Sequence, residues 1–226
     1  MITIRYLGHS GVTIDDDKSR TAIDPFLTGN PKTPVRASEV AVDQIVLTHA
    51  HGDHLGDTVE IARRSAATVY TNFETGNWLG KHGLEKVHAM NTGASRRFAW
   101  ARLSWTPAWH SNSLPDGSYA GLAHGVILEL DGKRIYHAGD TALFGDMALI
   151  GEEPIDLAFL PIGDYYTMGP RDAERAIGLL KPRVVVPIHY NTFEPIVQDA
   201  TRFKRAVEER TKTLVRVLAP GDTFQI

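Results

Sequence analysis

The segment His49-Ala50-His51-Gly52-Asp53-His54 places three imidazoles and a carboxylate within six residues, just after the apolar run Ile45-Val46-Leu47. Borderline divalent metals such as zinc prefer these side chains. The apolar run reads as a strand. Residues i and i+2 of an extended segment point to one side, so His49 and His51 can share a metal. Asp53 and His54 come after the chain has turned, and they face a neighbouring position. The segment is therefore suited to two metal ions, and the fold must bring further donors to the end of that strand. A lone histidine is usually a surface or core residue, and an H-x-H pair arises by chance. Three histidines and an aspartate at this spacing, far from either end, are neither a tag nor the pattern of a buried strand.

The absence of cysteine narrows the chemistry. It excludes disulfides, a thiolate nucleophile and Cys-ligated zinc, so any metal is held by His and Asp/Glu. That favours a hydrolytic or redox centre over a structural zinc site. The length of 226 residues fits one domain over residues 1–226, and 42% hydrophobic with 23% charged residues is enough to bury a sizeable core. A formal net charge of −3 gives no electrostatic footprint for nucleic acid. No apolar run reaches the roughly 18 residues of a membrane span. Met1-Ile2-Thr3-Ile4-Arg5-Tyr6-Leu7 reads as a first strand, not a signal peptide, so the cytoplasm is the expected location.

Short apolar runs predict strands at about 2–7, 11–15, 20–24, 44–48, 67–70, 101–106, 124–130, 133–137, 156–160, 184–188 and 214–218. Asp131-Gly132 marks a two-residue hairpin, and Asp15-Asp16-Asp17 a similar reversal. Helices are expected at about 55–65, 73–82 and 200–210. The best-marked one begins at Gly169-Pro170, continues with Ala173, Ala176, Ile177 and Leu180, and ends before Pro182. Two long loops, 28–36 and 111–122, have the length of binding loops.

Further His and Asp residues follow apolar strands. His110 comes after Leu103–Trp109, Asp140 after Ile135-Tyr136-His137-Ala138-Gly139, and His189 after Val184–Ile188. Each context alone is ambiguous, but the agreement of four strand ends is not.

On these residues the chain resembles the metallo-β-lactamase superfamily: an early Asp24 after a strand, the H-x-H-x-D-H motif at 49–54, then His110, Asp140 and His189. Leu7-Gly8-His9-Ser10, Ile23-Asp24-Pro25-Phe26-Leu27, His137-Ala138-Gly139-Asp140-Thr141, Pro161-Ile162-Gly163-Asp164 and His189-Tyr190-Asn191-Thr192-Phe193 are similar to its small, stand-alone, functionally uncharacterised metal-dependent hydrolases. The resemblance implies an α/β (α+β) fold, a four-layer αββα sandwich with metals at one edge. It implies a first metal on His49, His51 and His110, and a second on Asp53, His54 and His189, with Asp140 bridging. Two such cations, roughly 3.5–4 Å apart, share a water and lower its pKa toward neutrality. The bridging hydroxide attacks while the metals polarise the scissile carbonyl or phosphoryl oxygen. Asp53 would orient the hydroxide and pass its proton on.

Asp24 reads locally as a turn residue before Pro25, and the resemblance favours its bonding a ligand imidazole instead. His9 is expected either to line the substrate pocket or to serve the turn, and His137 to be buried in support. His82, His88 and His124 are ordinary, while Tyr165, Tyr166, Met168 and Phe193 are candidates for an apolar pocket wall. The expected activity is hydrolysis of a small ester, lactone, thioester or phosphodiester, with two divalent ions, zinc first and manganese, iron or nickel as alternatives. Nucleic-acid processing is the runner-up, disfavoured because the chain has neither an inserted domain nor a gripping arm. A diiron redox enzyme would place Glu where His51 stands, and a non-catalytic metal module would have lost donors. A homo-oligomer is compatible with the sequence.

Overall fold

The structure, a computed structural model, describes residues 1–226. In chain order the strands are β1 (Thr3–Gly8), β2 (Gly11–Asp15), β3 (Arg20–Ile23), β4 (Gln44–Val46), β5 (Thr68–Thr71), β6 (Val87–Ala89), β7 (Ser95–Arg97), β8 (Arg102–Pro107), β9 (His124–Leu130), β10 (Lys133–His137), β11 (Leu157–Pro161), β12 (Val184–Ile188), β13 (Leu214–Val215) and β14 (Thr223–Gln225). The helices are α1 (Gly52–Leu55), α2 (Thr58–Ser65), α3 (Phe73–Lys81), α4 (Met147–Ile150), α5 (Pro170–Leu180) and α6 (Ala200–Arg210). The strands form two sheets, ordered β14-β1-β2-β3-β4-β5-β6 and β13-β12-β11-β10-β9-β8-β7.

Alternation along the strands builds the layers, because successive side chains point to opposite faces. Leu157, Phe159 and Val186 of the second sheet meet Ile4, Ile14, Ile23 and Val46 of the first in the central core. Their neighbours Ala158, Leu160 and Val185 face outward onto Met147, Ala173, Ile177, Phe203 and Val207 of α4, α5 and α6. On the other side Leu7, Ala22, Ile45 and Val69 pack on Ile61, Ala62 and Leu79 of α2 and α3. The chain is thus an αββα sandwich, as the resemblance implied.

Strand direction places the site. β1 and β3 are each antiparallel to β2, and β3 is parallel to β4, so β1, β3 and β4 run one way. In the second sheet β8 and β10 are each antiparallel to β9, and β10, β11 and β12 are parallel. The carboxyl ends of β1, β3, β4, β8, β10 and β12 lead into His9, Asp24, His49, His110, Asp140 and His189, and these residues meet at one rim.

Several elements differ from expectation. The segment 55–65 is not one helix: α1 and α2 are separated at Gly56, whose φ is 43°. A Cβ there would lie 2.6 Å from Phe26 Cα, so the helix breaks where it meets the chain after Asp24. Strands β6, β7 and β14 have three residues each, too short to show alternation, and the four-residue α4 also escapes a periodicity test. Loop 111–122 is tied down: Asn72 Nδ2 donates to Ala120 O at 2.7 Å and Leu122 O at 2.9 Å.

Candidate metal centre

Asp24 stands immediately after β3 with φ 46°, fully buried. Its Oδ1 accepts from Thr48 N at 2.8 Å, and its Oδ2 from Thr48 Oγ1 at 2.6 Å and His54 Nδ1 at 2.7 Å. A carboxylate accepts and does not donate, so the Thr48 hydroxyl proton points at Asp24. His49 Nδ1, 3.0 Å from the same hydroxyl, then donates to it. The chain of bonds runs from His49 through Thr48 to Asp24, and from His54 directly to Asp24. One carboxylate therefore sets the Nδ1–H tautomer of both imidazoles and leaves both Nε2 atoms facing inward.

The inward atoms fall into adjoining groups, each with its donor atoms within 4.8 Å of one another. His49, His51 and His110 form one, with His49 Nε2 and His51 Nδ1 3.1 Å apart. Asp53, His54 and His189 form a second, together with His9. Asp140 lies between them: Oδ1 is 3.3 Å from His54 Nε2, while Oδ2 is 3.0 Å from His189 Nε2 and 3.5 Å from His110 Nε2. The turn carrying Asp140 needs Gly139, whose φ is 62° and where a Cβ would lie 2.9 Å from both His124 O and Thr48 Cβ.

The electrostatics fit a site for positive charge. Burial pulls the His49 pKa well below the ordinary histidine value, and the neighbouring His54 pulls it further. Burial also opposes charge on His54, yet the carboxylates of Asp140 and Asp24 outweigh it and hold that pKa well above the ordinary value. Burial raises the Asp140 pKa, but His189 and His54 outweigh it and hold the carboxyl well below its usual range. His54 Nε2 and Asp140 Oδ1 are nevertheless buried without a hydrogen bond. Buried polar atoms are normally paired. These two inward atoms, 3.3 Å apart amid a His/Asp donor set, fit a divalent cation.

His9 sits in the β1–β2 turn with φ 57°; its Nε2 lies 3.0 Å from Asp53 Oδ2, and burial holds its pKa down, at about 4. Asp53 is held below the usual carboxylate range, since the His9 bond and nearby imidazoles outweigh its burial. His137 does not line the pocket. It is buried, donates from Nε2 to Ser10 O at 2.9 Å, and accepts from Gly139 N at 3.1 Å, bracing both turns. His82 and His88 stack on Trp78 and Tyr70, and His124 stacks on Trp105 while donating to Leu47 O at 3.1 Å. Met168 belongs to the core beneath the second sheet, whereas Trp109, Tyr165, Tyr166 and Phe193 are exposed. The loop with both tyrosines is fixed beside the site by Met168 N donating to Thr141 O at 2.9 Å.

Sequence reasoning missed Thr48, Asn112 and Thr192. Thr48 adjoins the motif and could have been read as part of it. Asn112 accepts from Ala50 N at 2.8 Å and Thr192 meets His9 Nδ1 at 2.9 Å, partnerships across 62 and 183 residues that no local pattern announces.

The chain matches the Beta-lactamase superfamily domain over residues 19–190. It is 53% identical over 226 residues to a UPF0173 metal-dependent hydrolase of Thermus thermophilus, covering 100% of both chains. A counterpart in Deinococcus radiodurans is 47% identical over 229 residues, again covering 100% of both. Among solved structures, Igni18, a metallo hydrolase from Ignicoccus hospitalis, has a TM-score of 0.91 at 39% identity and covers 100% of this chain and 99% of its own. An isothiocyanate hydrolase from Delia radicum gut bacteria shares the fold at a TM-score of 0.77 and 19% identity, covering 99% and 98%. The chain belongs to the UPF0173 metal-dependent hydrolases of the metallo-β-lactamase superfamily.

Proposed function

We propose that this chain is a dinuclear hydrolase, with His49, His51 and His110 holding one divalent cation, Asp53, His54 and His189 a second, and Asp140 shared. The observation that carries this reading is the position of Asp140, with one oxygen toward His54 and the other toward His110 and His189. Zinc is the first choice for a His/Asp donor set, with manganese, iron and nickel as alternatives. When bound, such a pair supplies a water activated for attack near neutral pH and polarises the bond to be cut.

The residues of this chain do the rest. Asp24 and Thr48 keep His49 and His54 in the donor tautomer. Asp53 is the one carboxylate of the site open to solvent, with a side chain 32% exposed. Its Oδ2 accepts from His9 Nε2, and this anchored carboxylate is the group that accepts the proton of the attacking water. The exposed rings of Trp109, Tyr165, Tyr166 and Phe193 stand on loops next to donor residues and offer an apolar surface to substrate. This favours a small ester, lactone or thioester with an apolar substituent, with a phosphodiester as the remaining bond class.

The test is a screen of the metal-analysed protein against p-nitrophenyl esters, lactones, thioesters and bis-p-nitrophenyl phosphate, beside Asp140→Ala. Hydrolysis of one bond class, abolished in the variant, is expected. Full activity in metal-replete Asp140→Ala protein overturns the mechanism.

A further inference from the structure

The second donor group is held together unevenly. His54 is fixed by Asp24, and His189 is fixed through its backbone, whose N donates to His9 O at 2.8 Å. Asp53 lies on the four-residue α1, partly open to solvent, and its carboxylate has one hydrogen-bond partner, His9 Nε2 at 3.0 Å. Since a carboxylate only accepts, His9 donates from Nε2. Its Nδ1, 2.9 Å from Thr192 Oγ1, is then free to accept the threonine hydroxyl. The ring is further confined by the edges of Phe26 at 5.8 Å and Phe193 at 5.6 Å, and it lies tilted over His189 at 4.1 Å. Its carbonyl accepts from Tyr6 Oη at 2.9 Å as well as from His189 N. The turn holds residue 9 at a left-handed φ of 57°, a conformation uncommon for a residue other than glycine.

We infer that His9 is the positioning residue of Asp53, and that the β1–β2 turn thereby governs the Asp53–His54–His189 metal position and not the His49–His51–His110 position. The inference rests on the two-cation reading proposed above. His9 acts through its Nε2–H, which fixes the Asp53 carboxylate, and Thr192 Oγ1 holds the ring from its Nδ1 side. Groups that orient a metal ligand typically contribute a factor of about 10–100 in affinity.

The test titrates metal-free full-length protein with zinc chloride by calorimetry, with bound zinc counted by elemental analysis. The set is wild type, His9→Gln, His9→Asn and Thr192→Val. Glutamine carries an amide N–H at the reach of Nε2. Asparagine is too short to reach Asp53 but suits a left-handed backbone best. The wild type takes up two equivalents. In His9→Asn the second equivalent weakens about 10–100-fold and the first is unchanged. His9→Gln falls between the two, and Thr192→Val, which leaves residue 9 in place, weakens the second equivalent alone. A merely structural role reverses the order, with asparagine better than glutamine. That reversal, equal weakening of both positions, or wild-type affinity in His9→Asn and Thr192→Val overturns the assignment of His9. A wild type that binds a single equivalent overturns the two-cation reading itself, and this inference with it.

Discussion

A hydroxyl sits at the centre of the tautomer control. Thr48 accepts from His49 and donates to Asp24, so its oxygen cannot be replaced by a methyl group without leaving a buried N–H unpaired. Thr48→Val is expected to weaken zinc binding about 10–100-fold while Thr48→Ser stays close to wild type, measured by titration of the metal-free proteins. A second residue-level expectation lies away from the donors. Burial lowers the His124 pKa from 6.5 to about 4, and its Nε2–H bonds Leu47 O. The unfolded chain therefore binds this proton more readily than the folded one between those values. The contribution of neutral His124 to stability is complete above about pH 6.5 and is lost as pH falls toward 4. His124→Gln, which can keep the bond to Leu47, should show a shallower loss of stability from pH 7 to pH 4.5 in urea denaturation. Equal slopes for variant and wild type would refute this. At this scale the sequence was legible where chemistry is local. The six residues from His49 to His54 announce themselves, whereas Thr192 beside His9 is a product of folding alone.

The elements repeat one device: a strand stops, and the next residue or a short turn carries a functional group. His9, Asp24 and His189 follow β1, β3 and β12 directly, each with positive φ, and Gly139 makes the corresponding turn after β10. At Gly139 the demand is double, since the φ of 62° coincides with close approach to Thr48. Gly139→Ala should cost about 1–3 kcal/mol in a denaturant titration and displace Asp140, so metal content should fall with stability. Metal content unchanged in a destabilised variant would confine the role of Gly139 to folding. On the outer face, Ile177 of α5 is buried against the second sheet, and Ile177→Ala should cost about 2–5 kcal/mol without altering zinc affinity. Strands and α5 could be read ahead because burial imposes a period. Gly56 could not, because the close contact that breaks the helix there comes from Pro25 and Phe26, some thirty positions earlier in the chain.

Across the whole molecule, apolar runs marked most of the strands and the family resemblance supplied the αββα order, while the meeting of six strand ends follows from pairing directions that composition does not encode. Cations bound to the folded state alone add to its stability by mass action. A chelator should therefore lower the melting temperature, and zinc should restore it. A melting temperature indifferent to both would argue against a built metal site.

The donors come from both sheets: His49, His51, Asp53 and His54 from the first, His110, Asp140 and His189 from the second. Bound metal would thus clasp one end of the sandwich, whereas the opposite end has the exposed pairs of Asp131 with Lys18 and the amino group of Met1 beside its apolar packing. Stripping the metal should loosen the molecule like a book whose cover has been unlatched. Amide hydrogen exchange would rise at the carboxyl ends of β4, β10 and β12 and stay slow at their amino ends.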